Sequence, residues 1–156
     1  MTPDIGVPKQ HLQDVANEMQ KLLADEFVLY TKTRNYHWNV EGPNFIEMHK
    51  FYEGMYEQLE EVIDNVAERI RALGHYSEAR LKDFVGLTRL EEPSYTNNQQ
   101  EQLKNLLGDH ETIIKELRKN IVQFSDVHKD LGSSDFVTGL MRDHEKSAWL
   151  IRAHIK

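Results

Sequence analysis

Apolar side chains recur at every third or fourth position along most of this chain, and only four prolines interrupt the pattern. Such spacing gathers the apolar groups on one face of an α-helix, whereas a half-buried strand needs strict alternation. Pro3, Pro8, Pro43 and Pro93 mark places where a helix must start or stop, because proline lacks a backbone N–H and restricts the residue before it. The sequence therefore predicts an all-α fold.

The stretches between the prolines are long enough for four long helices. We expect the first over residues 9–38, the second over 45–73, the third over 97–125 and the fourth from about residue 133. Four such helices favour a four-helix bundle. The segment between the second and third helices is predicted to carry a short helix over residues 77–84 and is long enough to cross the bundle.

Polar residues and glycine at the predicted ends fit the known helix caps. Asn44 is the expected N-cap of the second helix, with Glu47 three residues later as its capping-box partner. Gly74 is the expected C-cap of the same helix. Ser133 or Ser134 is expected to cap the fourth helix.

Size and composition narrow the class of protein. A chain of 156 residues has the size of one domain, so we expect a single domain over residues 1–156 that begins with a short tail, residues 1–8, without Lys or Arg. The net charge of −7 repels nucleic acid at long range. The chain has no cysteine, which excludes disulfides and thiolate metal sites. With no visible signal peptide or membrane span, these features fit a cytoplasmic protein.

Histidines and acids in the first half of the chain form a candidate metal-ligand set. The set is His37, His49, Glu53, Asp64 and Glu68. Imidazole and carboxylate are the ligands of a redox-active iron site or a zinc site. His49 and Glu53 are four residues apart and share a helix face, as do Asp64 and Glu68. His37 ends the first helix, and the break at residues 42–43 returns the chain beside it.

One straight helix cannot bring all five groups to a single ion. His49 and Asp64 lie fifteen residues apart, which is about 22 Å along a helix axis, whereas metal–ligand bonds measure about 2 Å. The ligands therefore divide into two half-sites, and the apolar stripe of the second helix is turned well away from them. A two-fold axis that pairs this helix with its mate would unite the halves and form two sites in each dimer.

Plainer interpretations of the same residues exist. Acids four apart on a helix are usually solvated, and a histidine near a helix end can simply complement the helix dipole. Taken as a pattern alone, the ligand set supports a metal site and a solvated surface about equally. The remaining histidines form no ligand-like group and are expected mostly at the surface: His11, His75, His110, His128, His144 and His154.

A longer motif contains these ligands and resembles the Dps family, the ferritin-like mini-ferritins known as DNA-binding proteins from starved cells. The motif is His-Trp-Asn-Val-Glu-Gly-Pro-Asn-Phe over residues 37–45, followed by His49, Tyr56, Asp64, Ala67-Glu68-Arg69 and Gly74. The resemblance covers nearly the whole chain. It implies a ferritin-like four-helix bundle in which His37, His49, Asp64 and Glu68 match the family's ligands, divided between two subunits. Glu53 stands where the family more often has aspartate.

The resemblance also implies an activity. Members of the family oxidise Fe(II), preferentially with hydrogen peroxide, and store ferric mineral in a hollow dodecamer, which protects against oxidative damage. Zinc is a conceivable substitute for iron at such a site. Trp38, beside His37, would be a candidate to intercept stray oxidising equivalents, although packing at the dimer seam explains it as well. The family places acidic three-fold pores where this chain has Asp126, Asp130 and Asp135, residues that would serve equally as helix caps.

Rival functions can be compared on the same residues. An ordinary ferritin uses Glu-x-x-His pairs inside one bundle, and this sequence contains none. A DNA-compacting protein of this family uses a lysine-rich tail, whereas the first basic residue here is Lys9, so we expect weak or absent DNA binding. The full ligand set argues against a cage that has lost its chemistry.

Overall fold

The structure is a computed structural model that describes residues 3–155, so the first two residues of the predicted tail lie outside the described residues. Its helices are α1 (Lys9–Asn39), α2 (Phe45–Ala72), α3 (Leu81–Leu87), α4 (Gln99–Val122) and α5 (Leu131–His154). A π-helical turn, Gln123–Val127, continues α4. No strand occurs within residues 3–155, which confirms the predicted all-α fold.

The four long helices form a bundle of two hairpins. α1 packs mainly against α2 and α4 mainly against α5, while contacts of α1 with α4 and of α2 with α5 close the bundle. All four contribute fully buried apolar side chains, among them Leu29, Val66, Leu106 and Ile151. The short α3 lies in the crossover between the hairpins and packs on α1. Within the described part of the chain, no helix is both long and apolar enough to span a membrane.

A tight turn between α1 and α2 sets the geometry of the first hairpin. Val40 is extended, and its N–H donates to the Tyr36 carbonyl, which ends α1. Gly42 follows with φ +128°, a conformation that side chains disfavour. Asn44 occupies the N-cap position of α2 as predicted, but its side chain makes no cap bond, so the predicted capping box with Glu47 is wrong. The turn returns the chain beside the end of α1 without this cap bond.

The start of α5 differs from the prediction. Asp130, and neither Ser133 nor Ser134, is the N-cap: its carboxylate accepts a bond from the Ser133 N–H at 2.9 Å and another from the Ser133 hydroxyl. Ser133 is therefore inside the helix, where its N–H is one of the groups that needs a cap. A carboxylate satisfies that N–H and also favours the positive end of the helix dipole.

Buried charge on α1 holds the crossover in place. α3 begins at Leu81, later than the predicted residue 77. The carboxylate of Asp25, on α1, is fully buried. It accepts hydrogen bonds from two residues that follow α3: from the Thr88 hydroxyl and from the backbone N–H and the guanidinium of Arg89. Two turns further along α1, the Lys32 ammonium donates a hydrogen bond to the Asp109 carboxylate of α4 at 2.6 Å. The crossover is thus tied to α1 by polar bonds that no local sequence pattern shows.

Removing the buried carboxylate should destabilise the bundle strongly. In Asp25→Ala, the Arg89 guanidinium, its N–H and the Thr88 hydroxyl lose their shared acceptor, so we expect the free energy of unfolding to fall by about 3 kcal/mol. Urea denaturation at fixed protein concentration measures the change. Arg118→Ala is the control, because its ion pair with Glu145 is exposed and should contribute less than about 1 kcal/mol. Equal losses in both variants would contradict this account.

Candidate metal centre

Two imidazoles from different helices are locked together by reciprocal hydrogen bonds. Nδ1 of His37, at the end of α1, lies 2.7 Å from the carbonyl oxygen of His49. Nδ1 of His49, in the first turns of α2, lies 2.8 Å from the carbonyl oxygen of His37. The pairing depends on the α1–α2 turn, which brings residues twelve positions apart in sequence side by side.

These bonds fix which ring nitrogen is free. A carbonyl oxygen only accepts, so in both residues Nδ1 must carry the hydrogen and donate it. In the neutral imidazoles Nε2 then keeps its lone pair. A metal-ligating histidine commonly has this arrangement, with one nitrogen donating to a carbonyl and the other free to bind the ion. The local backbone of this chain therefore prepares two nitrogen ligands.

The two imidazole rings lie nearly parallel and in contact. Their centroids are 3.7 Å apart and their planes differ by 18°. Phe45 stacks on the outer side of His49 at 5.1 Å, and Tyr56 meets the His37 ring edge to face at 5.1 Å. His37 is buried, whereas His49 is partly exposed. Aromatic walls thus restrict both rings and leave one side open to solvent.

The acid of this half-site follows one turn after His49. Glu53 is half-buried and interacts with the phenol of Tyr56. Burial, followed by the charge of Glu53, raises the pKa of Tyr56, so this phenol stays protonated. The Arg34 guanidinium lies over the Tyr56 ring at 4.2 Å and over the Trp38 ring at 5.3 Å. Trp38 itself is 63% exposed, so within one chain it packs against little besides Arg34.

The second half-site lies at the far end of α2. Asp64 and Glu68 are both exposed. Asp64 lines a shallow groove with Phe27 and Tyr30 of α1 and with further acids of α2. Next to Glu68, Arg69 bonds Ser133 at 3.0 Å and Asp130 at 3.4 Å, which ties this end of α2 to the start of α5. The two carboxylates are therefore held on a rigid helix end and point into solvent.

A single chain does not assemble a complete ligand set. Within residues 3–155, no three His, Cys, Asp or Glu side chains form a group that could hold a metal ion. His37 and His49 come together, Glu53 follows on the same helix face, and Asp64 and Glu68 lie apart from them along α2. The metal roles of all five residues remain predictions.

The three aspartates predicted to line a pore have different surroundings. Asp126 and Asp135 are exposed, the first with a bond from the Ser125 hydroxyl. Asp130 is buried, and its carboxylate is engaged as the cap of α5 and as the partner of Arg69. Of the three, Asp126 and Asp135 thus have carboxylates accessible to a passing cation.

Two of the other histidines, which as a set were expected mostly at the surface, are buried and bonded to each other. His110 of α4 and His144 of α5 are 1% and 3% exposed, and their Nδ1 atoms lie 2.9 Å apart. Nε2 of His144 lies 2.7 Å from Oε1 of the buried Glu26 on α1. The signal was present in the sequence. His110 lies between Leu106 and Ile113 on the apolar stripe of α4, a position that faces the core.

Comparison with known proteins identifies the family. The family model described as a ferritin-like domain matches residues 16–156. A DNA protection during starvation protein 2 of Bacillus anthracis is 34% identical over 92% of this chain and 97% of its own length. The chain therefore belongs to the ferritin-like family, in its Dps branch.

Other relatives and solved structures agree. An uncharacterized low temperature-induced protein of Nostoc is 40% identical over 98% of this chain and 86% of its own length. The crystal structure of a Dps protein from Vibrio cholerae, described as a member of a superfamily of ferritin-like diiron-carboxylate proteins, superposes with a TM-score of 0.94 at 27% identity and covers 100% of this chain and 98% of its own. Mycobacterium smegmatis Dps gives a TM-score of 0.91 at 30% identity, over 99% and 92% of the two chains.

The carbonyl bonds make a direct spectroscopic prediction. In the metal-free protein at pH 8, both His37 and His49 should be the tautomer with hydrogen on Nδ1, because only that form satisfies the two carbonyls. Long-range ¹H–¹⁵N correlation on histidine-labelled protein measures the tautomer. Signals are assigned with His37→Gln and His49→Gln. Hydrogen on Nε2 of either residue would show that the pairing does not exist in solution.

Proposed function

We propose that this protein oxidises Fe(II) with hydrogen peroxide and stores the ferric product. The observation that carries the proposal is the pair of parallel imidazoles, His37 and His49, with both Nδ1 atoms bonded to carbonyls and both Nε2 atoms free. Such a pair is suited to holding a divalent transition metal. Membership of the Dps branch supports iron as that metal, with zinc as a competing ion.

The ligand chemistry suits a one-electron oxidation of iron as substrate. Imidazoles retain Fe(II), while the harder carboxylates of Glu53, Asp64 and Glu68 stabilise Fe(III). Two ferrous ions each give one electron to one peroxide, whose O–O bond is broken to the level of water. Because both electrons go to the same peroxide, with two protons, to give two waters, release of hydroxyl radical is largely avoided. Trp38 and the Arg34–Tyr56 pair beside His37 are candidates to take up any stray oxidising equivalent.

The complete centre is proposed to form between two chains. Asp64 and Glu68 are exposed at the opposite end of α2 from His49 and Glu53, so one chain supplies only half of the ligands at each location. An antiparallel pairing of α2 with its two-fold mate would bring the halves together twice in each dimer. The open acidic groove at Asp64, lined by apolar parts of Phe27 and Tyr30, supports a contact surface there.

Storage requires an enclosed volume, and we propose a hollow dodecamer built from these dimers. The exposed carboxylates of Asp126 and Asp135 would concentrate cations at entry pores. The absence of cysteine fits a reducing cytoplasm as the site of action. Protection of the cell against iron-driven oxidation then follows from consuming peroxide and sequestering iron in one place.

Loss of the imidazole pair should abolish the activity. In His37→Ala/His49→Ala we expect peroxide-driven Fe(II) oxidation to fall by more than about 100-fold, since loss of a residue that only orients a metal ligand already costs about 10–100-fold. Stopped-flow absorbance of the ferric product measures the rate. His75→Ala/His154→Ala is the matched control, because it removes two imidazoles elsewhere. Similar rates in both double variants would contradict the assignment.

Mixing two inactive variants should restore activity if the centre is shared. His37→Ala/His49→Ala and Asp64→Ala/Glu68→Ala each lack one half of every site, yet a mixed dimer contains one intact site of two. Random reassembly of equal amounts should therefore recover about a quarter of the wild-type rate. Light scattering should give an assembly of near twelve times the 18.3 kDa chain mass. No recovery in correctly assembled mixtures would place the whole centre within one chain.

DNA binding is proposed to be weak or absent, although several relatives are named for DNA protection. Residues 1–8 contain no Lys or Arg, and the chain carries a net charge of −7, so few phosphates could be neutralised. A gel shift at physiological ionic strength should show no complex. Asp4→Lys/Ile5→Lys/Gly6→Lys, which adds cations at exposed positions, should produce a salt-sensitive shift. A shift with the unaltered chain would support DNA compaction instead.

A further inference from the structure

Three groups of metal-ligand type lie inside the bundle, away from the candidate centre on α2. Glu26 of α1, His144 of α5 and His110 of α4 are 0%, 3% and 1% exposed. They form a continuous chain in which Glu26 bonds His144 and His144 bonds His110. Apolar side chains such as Leu59 and Val62 of α2 lie beside the two imidazoles.

Burying these three hydrogen-bonded side chains costs free energy, because two of their polar atoms have no partner. The Glu26 carboxylate has one bonded oxygen, while Oε2 is buried without a partner. Nε2 of His110 is likewise buried without a partner. A buried carboxylate needs a compensating positive charge. Arg89 is paired with Asp25, the neighbour of Glu26 on α1, and the ion-pair partner of Glu26 is His144, which carries a charge only when protonated.

The spacing of the two imidazoles fits ligands of one ion. Their Nδ1 atoms are 2.9 Å apart. Two nitrogens at about 2.0–2.1 Å from a metal are separated by about 2.9 Å at a right angle and about 3.4 Å at the tetrahedral angle. At the observed 2.9 Å, an ion bound to both Nδ1 atoms would lie about 1.4 Å to one side of the line that joins them, so the two rings must rotate from their hydrogen-bonded alignment to admit it.

In this arrangement the Glu26 carboxylate would orient the imidazole ring of His144. With a metal on Nδ1, the neutral His144 ring carries its hydrogen on Nε2, which lies 2.7 Å from Oε1 of Glu26. A ligating histidine that donates its other N–H to a carboxylate is a recurrent arrangement at zinc sites. The linear order of the three groups, in which His144 uses both nitrogens, thus suits two nitrogen ligands and one supporting acid.

Room for further ligands lies beside the two rings. A cavity of about 10 Å³, space for about one water molecule, borders His110 and His144 and is lined on its other sides by Gln58, Asp143, Ser147 and Met55. Gln58 and Asp143 are exposed, so a hydrated ion can approach from the groove between α2 and α5. Water and these oxygen atoms could complete the coordination of the ion.

From this arrangement we propose that Nδ1 of His110 and Nδ1 of His144 bind a divalent first-row transition metal of the zinc type within each subunit, with Glu26 as the positioning residue. This site differs from the candidate centre on α2 in location, since it lies inside one bundle and needs no second chain. Imidazole ligands suit zinc, copper and nickel as well as iron. The site is independent of the proposed iron oxidation.

Metal titration in a background without the candidate centre tests the site. In assembled His37→Ala/His49→Ala, Co²⁺ should bind at one ion per chain and show visible absorption bands that Zn²⁺ displaces. Adding His110→Leu should remove this binding, while the Glu26–His144 pair remains intact. Adding Glu26→Gln keeps an acceptor for His144 and should weaken binding by about 10–100-fold. Because the background lacks both imidazoles of the proposed ferroxidase centre, the result does not depend on that function.

Two results would overturn the proposal. One is unchanged Co²⁺ stoichiometry and spectrum after His110→Leu. The other is absence of binding in the background variant, including the case in which the buried chain takes up only a proton. If His110→Leu fails to assemble, zinc-edge anomalous diffraction from zinc-soaked crystals of the background variant decides: a peak between the two Nδ1 atoms is expected, and a zinc-soaked crystal without one contradicts the site.

Discussion

The rigidity of α2 is the constraint on which the candidate centre depends. A helix rises about 1.5 Å per residue and does not fold back on itself, so residues at its two ends cannot share an ion. In this chain the imidazole half begins at His49 in the first turns of α2, and the carboxylates Asp64 and Glu68 lie near its end. Chemistry that needs both halves therefore needs a second chain. Under the proposed function, assembly and activity depend on the same residues.

Much of the fold follows from periodicity, because periodicity reports which faces are buried. The long helices appear within a few residues of the predicted limits, and the break at Gly42 and Pro43 is where the chain turns. The ligand-type residues His37 and His49 were also visible, since their identity and the turn between them are local features. Their reciprocal bonds to carbonyl oxygens were not, because those bonds depend on how two helices register.

The incorrect predictions share one cause, which is that tertiary contacts decided the outcome. Asp130 is the N-cap of α5, although the two serines that follow are also good capping residues. Its carboxylate is held in place by Arg69 of α2. Asn44 occupies the N-cap position of α2, but its side chain makes no capping hydrogen bond. His110 and His144 looked like surface histidines by composition, yet each occupies an apolar stripe position and is buried by the opposing hairpin. For these residues, position on the helix face decides burial more than the polarity of the side chain does.

The acceptors that orient His37 and His49 are main-chain atoms, and this has a consequence for how the site tolerates change. No side-chain substitution can delete a carbonyl oxygen, so the neighbours of these histidines can vary without altering the ring tautomers. The path of the backbone through residues 40–44 cannot vary in the same way, because a change in the length of this turn would move His49 relative to His37. Both rings would then lose their acceptors together. The site therefore depends more on the length and path of this turn than on the identity of the surrounding residues.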